Sequence, residues 1–267
     1  MDGFLDYLAV AIEAAHLSGS YQRYHFASHL DIDLKGDKDL VTEVDRESER
    51  LIVEHLLTAF PHHGILAEEG QYPRGGSAYC WIIDPVDGTT NYAHGFPWFC
   101  SSIALEVDGE LVVGVIHNPV QGDLFTAAKG GGAFHNGRPI HVSQRAPLRN
   151  ALLATGFPYD CATDPDNNFE AFMLFQKNAR GIRRAGAAAL DLAWVAAGRL
   201  DGFWELKLKP WDVAAGVLMV REAGGRVSTY DGSSYHHTCH RIVASNGIIH
   251  DEMVACLASL DVSIDVQ

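Results

Sequence analysis

Trp81-Ile82-Ile83-Asp84-Pro85-Val86-Asp87-Gly88-Thr89-Thr90-Asn91 constrains this chain more than any other stretch. A short apolar run empties into two aspartates three residues apart, and a Gly/Thr turn follows at once. The apolar run reads as a strand ending at Asp84, and Pro85 keeps that residue extended. An apolar strand that ends in paired carboxylates beside backbone N–H groups is a way to hold a cation. The combination suits a phosphate bound through metal.

The 267 residues are 47% hydrophobic, too long for one small core and right for one or two domains. The net charge of −14 is spread without a block of like sign, which argues against direct nucleic-acid binding. It leaves a phosphorylated substrate open, because bound cations reverse the field locally. Five cysteines, an odd number without CxxC, read as reduced thiols of a cytoplasmic protein. The start Met-Asp-Gly-Phe-Leu-Asp lacks the basic and apolar regions of a signal peptide, and no apolar run approaches a membrane span.

Along the chain, helix-like and strand-like segments alternate, so a mixed α/β or α+β class is expected. Phe4, Leu8, Ile12 and Ala15 predict a helix over 2–24. Residues 34–39 (LKGDKD) read as a charged turn or mobile loop. A second helix starts near Thr42, where Thr42 with Asp45 three residues on is similar to a capping box. Residues 64–69 form a short strand that ends in Glu68 and Glu69. A β-meander runs from 99 to 142, with hairpin turns at Asp108-Gly109 and Asn136-Gly137. Gly130-Gly131-Gly132 lies inside it and lacks the spacing and following helix of a nucleotide loop.

The second half alternates: strand 151–155, helices 167–179 and 187–197, strand 201–206, helix 211–223, strand 226–230 and helix 247–260. The expected division is an N-terminal α+β half, 1–148, and a C-terminal α/β half, 149–267, with the active site between them.

The carboxylates at element ends carry the chemistry. Glu68, Asp84, Asp87 and Asp212 would surround one spot if their segments converge, an oxygen-donor set for hard cations such as Mg²⁺. Two such ions clamp both oxygens of a phosphoryl displacement. Each carboxylate also has a structural reading: Asp87 as an Asx-turn residue, Asp212 as the complement of a helix N-terminus, Glu68 and Glu69 as solvated charges. Trp204, Phe96, Trp98 and Phe99 read as core. The cluster His236-His237-Thr238-Cys239-His240 reads as a solvated loop, since it lacks a distant second half with zinc spacing.

The chain resembles the inositol monophosphatase family over nearly its whole length. Five blocks carry the resemblance, in the family's order: Lys35 with Asp39-Leu40-Val41-Thr42-Glu43-Val44-Asp45; Ala67-Glu68-Glu69; WIIDPVDGTTN from Trp81; GIRRAGAAALDLAWVAAG from Gly181; and WDVAAGVLMVREAGG from Trp211. The bacterial members look closest, through Gly156-Phe157-Pro158 and Leu208-Lys209-Pro210.

The resemblance implies a layered αβαβα sandwich and Mg²⁺-dependent hydrolysis of a phosphomonoester, with two or three ions. It implies metal ligation by Glu68, Asp84, the Val86 carbonyl, Asp87 and Asp212. Thr89 matches the threonine that contacts the attacking water, Asp45 the aspartate behind it, and Glu68 a group that orients or deprotonates that water. The N–H groups of Gly88 and Thr89 would hold phosphate oxygens. Glu205 matches a glutamate that binds inositol hydroxyls, and Ala188 a backbone donor to substrate. The resemblance also implies Li⁺ inhibition and a homodimer.

Two positions depart from the pattern. Ala187 stands where many members have Ser or Thr, and Ala67 replaces the Gly before the paired glutamates. Arg183 and Arg184 are open between substrate binding, bracing and a subunit contact. The expected substrate is myo-inositol monophosphate or a similar small polyol phosphate. Histidinol phosphate, fructose 1,6-bisphosphate and 3′-phosphoadenosine 5′-phosphate are the alternatives, and a regulatory protein-binding role in RNA-linked complexes is the reading from a different class.

Overall fold

Asp108 and Gly109 both take left-handed backbone angles (φ 51° and 82°), as do Asn136 and Gly137 (49° and 73°). Each pair closes a two-residue hairpin whose twist matches the flanking strands. These turns fold the middle of the chain back on itself and produce the expected meander.

The computed structural model describes residues 4–26, 32–34, 40–72 and 76–264, with side chains except at 32–34, 40–42 and 261–264. The first part runs α1 (Leu5–His25), β1 (Ile32–Leu34), β2 (Leu40–Thr42), α2 (Glu43–Ala59), β3 (Gly64–Ala67), β4 (Tyr79–Asp87) and α3 (Thr89–Ala93). The meander follows as β5 (Cys100–Val107), β6 (Glu110–Asn118), β7 (Asp123–Ala128), β8 (Gly132–His135) and β9 (Arg138–Ile140). Then come β10 (Leu152–Thr155), α4 (Phe169–Asn178), β11 (Gly181–Arg183), α5 (Ala188–Ala196), β12 (Gly202–Leu206), α6 (Pro210–Glu222), β13 (Arg226–Ser228), β14 (Arg241–Ser245) and α7 (His250–Ile264). The charged segment 35–39 and the Thr42 side chain fall outside the described residues.

Strands β3 to β9 form a seven-stranded sheet in chain order, antiparallel except for the parallel β3–β4 pair. A five-stranded sheet has the order β11-β10-β12-β14-β13, and β1–β2 form a separate ribbon. Strand alternation sends neighbouring side chains to opposite faces. Thus Trp81 and Ile83 pack with Ala11, Ala14 and Ala15 of α1 and with Ile52 and Leu56 of α2. Ile82, between them, packs on the other face with Leu190 and Leu192 of α5 and Val213 and Leu218 of α6. Phe203 reaches this central cluster from the small sheet. Its neighbour Trp204 points outward to Phe175 of α4 and Met253 and Leu257 of α7.

The result is five layers: α1/α2, the large sheet, α5/α6, the small sheet and α4/α7. This is the expected αβαβα sandwich. Helix α6 is apolar nearly all round because it has a sheet on either side. Small residues let the layers approach: a Cβ at Gly114 would stand 3.0 Å from the Ala215 carbonyl oxygen, and one at Gly216 would stand 2.5 Å from Leu192 Cβ.

The fold corrects three expectations. Strands β11 and β14 were not anticipated, although β14 lies between β12 and β13. Phe96 is not core but 52% exposed, whereas Phe99 and Trp204 are fully buried. The His236–His240 segment is a loop, yet His237 within it is buried. No disulfide joins any of the five cysteines, all of which lie among the described residues. Among the described residues, no helix is long and apolar enough to cross a membrane.

Candidate active site

The end of β4 shapes the site. The ladder with β5 slips between Asp84 and Asp87, a bulge centred on Pro85 and Val86. Such bulges bend a strand and re-aim its side chains. Asp84 Oδ1 accepts the Val86 N–H at 3.0 Å, which pins its carboxylate across the kink. From behind, the Gln22 amide and the Ser101 hydroxyl both donate to the Pro85 carbonyl, at 2.9 and 3.0 Å.

Asp87 is held from the opposite half of the chain. Its Oδ1 accepts the Ala188 N–H at 3.2 Å and its Oδ2 the Ala189 N–H at 2.7 Å. These are amides of the first turn of α5, which has no side-chain cap of its own at Ala187. Asp87 therefore satisfies orphan donors that a Ser or Thr at 187 would otherwise serve. The Ala188 amide, expected to meet substrate, is here committed to Asp87.

Asp212 enters from α6. Its Oδ2 accepts the Lys209 N–H at 2.7 Å, reaching back over the first helical turn. The helix-end reading of Asp212 and its place in the cavity hold together. Ser102 ties this helix start to β5 by donating to the Trp211 carbonyl at 3.2 Å.

Glu68 follows β3 and is half-buried. Its segment is fixed by Glu49 of α2, whose carboxylate accepts the Glu69 N–H at 2.8 Å and the Tyr72 hydroxyl at 3.2 Å. Burial raises the Glu49 carboxyl above its ordinary value. Sequence reasoning missed Glu49. A carboxylate one turn before Ile52 and Val53, on the apolar face of an amphipathic helix, is the signal that could have found it.

Glu68, Asp84, Val86, Asp87, Gly88, Thr89, Ala188, Glu205 and Asp212 all line one cavity of about 540 Å³. Asp45 stands behind it, buried on the first turn of α2, and accepts the Thr89 hydroxyl at 2.7 Å. Thr89 Oγ1 also lies 3.0 Å from the Val86 carbonyl oxygen. One hydroxyl has one proton, and the shorter contact to a carboxylate takes it. That leaves Val86 O with a lone pair to spare.

Gly88, at φ 97°, makes the left-handed step from β4 into α3, and a Cβ there would lie 3.0 Å from the Trp98 carbonyl oxygen. The first amides of α3 have no partner within the helix. Asn91 latches this turn by donating to the Trp98 and Ala185 carbonyls at 2.7 and 2.9 Å.

The crowding of carboxylates has an electrostatic signature. Burial first, then the charges of Glu68, Asp87 and Asp212, pushes the Asp84 carboxyl well up. Burial and its neighbours push Asp87 to about 7, and Asp212 is raised for the same reasons. Like charges at short range in a buried site oppose joint ionisation. Four carboxylates and a spare carbonyl make an all-oxygen donor set, which fits hard divalent cations.

Glu205, buried on β12, is pushed up to about 8 by burial and by Asp212 and Asp87. It requires Gly156: a Cβ at 156 would stand 2.3 Å from Glu205 Oε1. Arg184 lines the same cavity and opposes the rise at Glu205, whereas Arg183 donates to the carbonyl of Ile182. Asp191, also missed, is a buried carboxyl on α5 that lines the cavity and has an unpartnered Oδ1. A lone acidic residue inside the apolar run AAALDLAWVAA was its sequence signal.

Comparison with known proteins supports one lineage. The profile of the Inositol monophosphatase family matches residues 5–261. An inositol-1-monophosphatase of Synechocystis sp. is 46% identical over 255 residues, covering 95% of this chain and 89% of that protein. A protein of Pseudomonas aeruginosa named Nus factor SuhB is 47% identical over 246 residues, covering 90% and 91%. The solved inositol monophosphatase of Anabaena (Nostoc) sp. superposes with a TM-score of 0.88 at 43% identity, covering 96% of each chain. With the same five layers and a match along nearly its full length, this chain belongs to the inositol monophosphatase family, whose members are phosphatases.

Proposed function

We propose that the protein is a Mg²⁺-dependent phosphomonoesterase acting on myo-inositol monophosphate or a similar small polyol phosphate. The observation that carries this reading is the convergence of Glu68, Asp84, Asp87 and Asp212 on one cavity, with the Thr89–Asp45 pair on its wall. Those four carboxylates and the Val86 carbonyl would hold two or three divalent ions. When bound, the ions supply Lewis acidity to the attacking water and to the leaving alcohol oxygen.

The protein's own groups do the rest. Thr89 donates to Asp45, so its oxygen lone pairs remain to accept a hydrogen bond from a water on the cavity side. Glu68 offers that water a second acceptor and takes its proton. The Gly88 and Thr89 N–H groups, at the start of α3, orient phosphate oxygens for in-line attack. Glu205 faces the alcohol part of the substrate, and Arg184 adds a cation at the rim.

The same reading includes a cytoplasmic homodimer, inhibition by Li⁺, and two halves, 1–148 and 149–267, that each supply part of the cavity wall. The test is a panel of phosphomonoesters with Mg²⁺, with and without Li⁺. Phosphate release from inositol monophosphate that disappears on chelation is expected. Release that persists without divalent metal overturns the mechanism. The Nus factor relative supports a second reading, a regulatory binding role. Asp87→Asn separates the two: a cellular role retained by the inactive variant belongs to binding.

A further inference from the structure

The second group of metal-ligating side chains lies at the far end of β5. The ladder between β5 and β6 slips at Leu105/Glu106, and this bulge re-aims Glu106 just before the Asp108–Gly109 turn. Opposite it, the loop between β13 and β14 brings His236 and His237. Glu106 Oε2 is buried and lies 3.1 Å from His237 Nε2 and 3.9 Å from His236 Nε2. All three donor atoms lie within 4.8 Å of one another.

Neither imidazole makes a properly directed hydrogen bond to that oxygen, although one is within reach of it. A plain ion pair would align N–H with the carboxylate. A buried carboxylate oxygen left without a hydrogen bond beside two imidazole nitrogens is an arrangement that a shared cation would satisfy. Donors at the corners of a zinc tetrahedron stand about 3.3–3.5 Å apart, so the three would close by at most about 1.5 Å. The two rings already pack together, with centroids 4.1 Å apart. His236 Nδ1 lies 2.9 Å from the Thr238 hydroxyl and 3.4 Å from the Thr238 N–H, which together fix the ring with Nε2 turned toward Glu106.

The surroundings permit this. A cavity of about 290 Å³ adjoins both histidines, with room for a water ligand. Its two cations are already engaged: Lys129 with Glu110, and Arg221 with the Tyr235 carbonyl at 2.8 Å. Cys239 and His240 stand outside the donor group. The site is separate from the carboxylate cavity. Asp87 pairs with Cys100 at the start of β5, and six residues of strand separate Cys100 from Glu106, about 20 Å.

We propose that Glu106, His236 and His237 bind one divalent transition ion, Zn²⁺ being the best match to two imidazoles and a carboxylate. The ion clips the loop next to the small sheet onto the β5–β6 hairpin of the large one. Nitrogen ligands make the site a poor one for Mg²⁺, so it answers to a different ion from the catalytic cavity.

The test uses chelator-treated full-length protein titrated with Zn²⁺ alone and read by X-ray absorption. The carboxylate cavity offers only oxygen, so imidazole scattering reports this site. Wild type and Asp87→Asn are both expected to show histidine ligation and a rise in thermal midpoint with Zn²⁺. Glu106→Gln and His236→Ala should each weaken Zn²⁺ binding by at least roughly tenfold to a hundredfold. Both should keep their Mg²⁺-supported phosphatase activity, which also shows that the variants fold. An all-oxygen Zn²⁺ shell in wild type, or histidine ligation unchanged in both variants, overturns the proposal.

Discussion

Thr89 gives its hydroxyl proton to Asp45 across 2.7 Å, joining the start of α3 to the first turn of α2. In the proposed mechanism the two act as one relay, so their losses should not add. Thr89→Ala and Asp45→Asn are each expected to lower kcat by about 10²–10⁴-fold. The double variant should be little worse than the poorer single. A steady-state double-mutant cycle checks this, and independent, multiplying losses would sink the relay.

Gly156 leaves room for Glu205, with only 2.3 Å available to a Cβ beside Oε1. Gly156→Ala should displace that carboxylate within the cavity while leaving Glu68, Asp84, Asp87 and Asp212 in place. The expected result is a KM raised by roughly tenfold, the worth of about one lost hydrogen bond, with a smaller change in kcat. A fall confined to kcat would count against Glu205 as a substrate contact.

Asp84 is raised by burial and by Glu68, Asp87 and Asp212 around it. In metal-free protein that crowding opposes folding. Asp84→Asn keeps an acceptor for the Val86 N–H and removes one charge. The chelated variant should melt about 2–4 °C higher than chelated wild type, for about 1 kcal/mol of relief. Its response to Mg²⁺ should shrink. Calorimetry with and without Mg²⁺ measures both, and a variant less stable than wild type under chelation contradicts the argument.

His250 opens α7 fully buried, with Nε2 2.8 Å from the Ser228 hydroxyl and Nδ1 2.8 Å from that of Ser245. Burial, with help from Arg226 and against Asp251, lowers it from 6.5 to about 4. The unfolded chain therefore protonates first as pH falls. This contribution to stability is whole above 6.5 and drains away toward 4. His250→Asn should flatten the acid limb of the stability curve by up to one proton. Urea unfolding at several pH values tests it; parallel curves for both proteins would refute it.

The large sheet is legible because its signals are local: Asp108-Gly109 and Asn136-Gly137 can only turn, and apolar alternation fills the strands between. Strand β14 is harder. RIVAS is short, follows a polar His-rich loop, and gains its place only from long-range pairing with β12 and β13. The site divides the same way. Asp84 and Asp87 stand out because two carboxylates interrupt an apolar run. Glu49 and Asp191 do not, since each is a single buried charge whose meaning depends on a partner distant in sequence. Phe96 misleads for the opposite reason, an aromatic beside buried Phe99 that the turn at 94–97 carries outward.

Helices α5 and α6 lie between two sheets, and both faces of this middle layer are committed. Severing the chain after residue 148 would strip the seven-stranded sheet of one cover and leave the later fragment with helices bare on one side. The amides of α5 would also lose the Asp87 carboxylate they hold. Neither fragment is a module that could be exchanged or inherited alone. Changes in what the protein recognises must therefore come through loops and single side chains at the rim, with the layers carried as one indivisible unit.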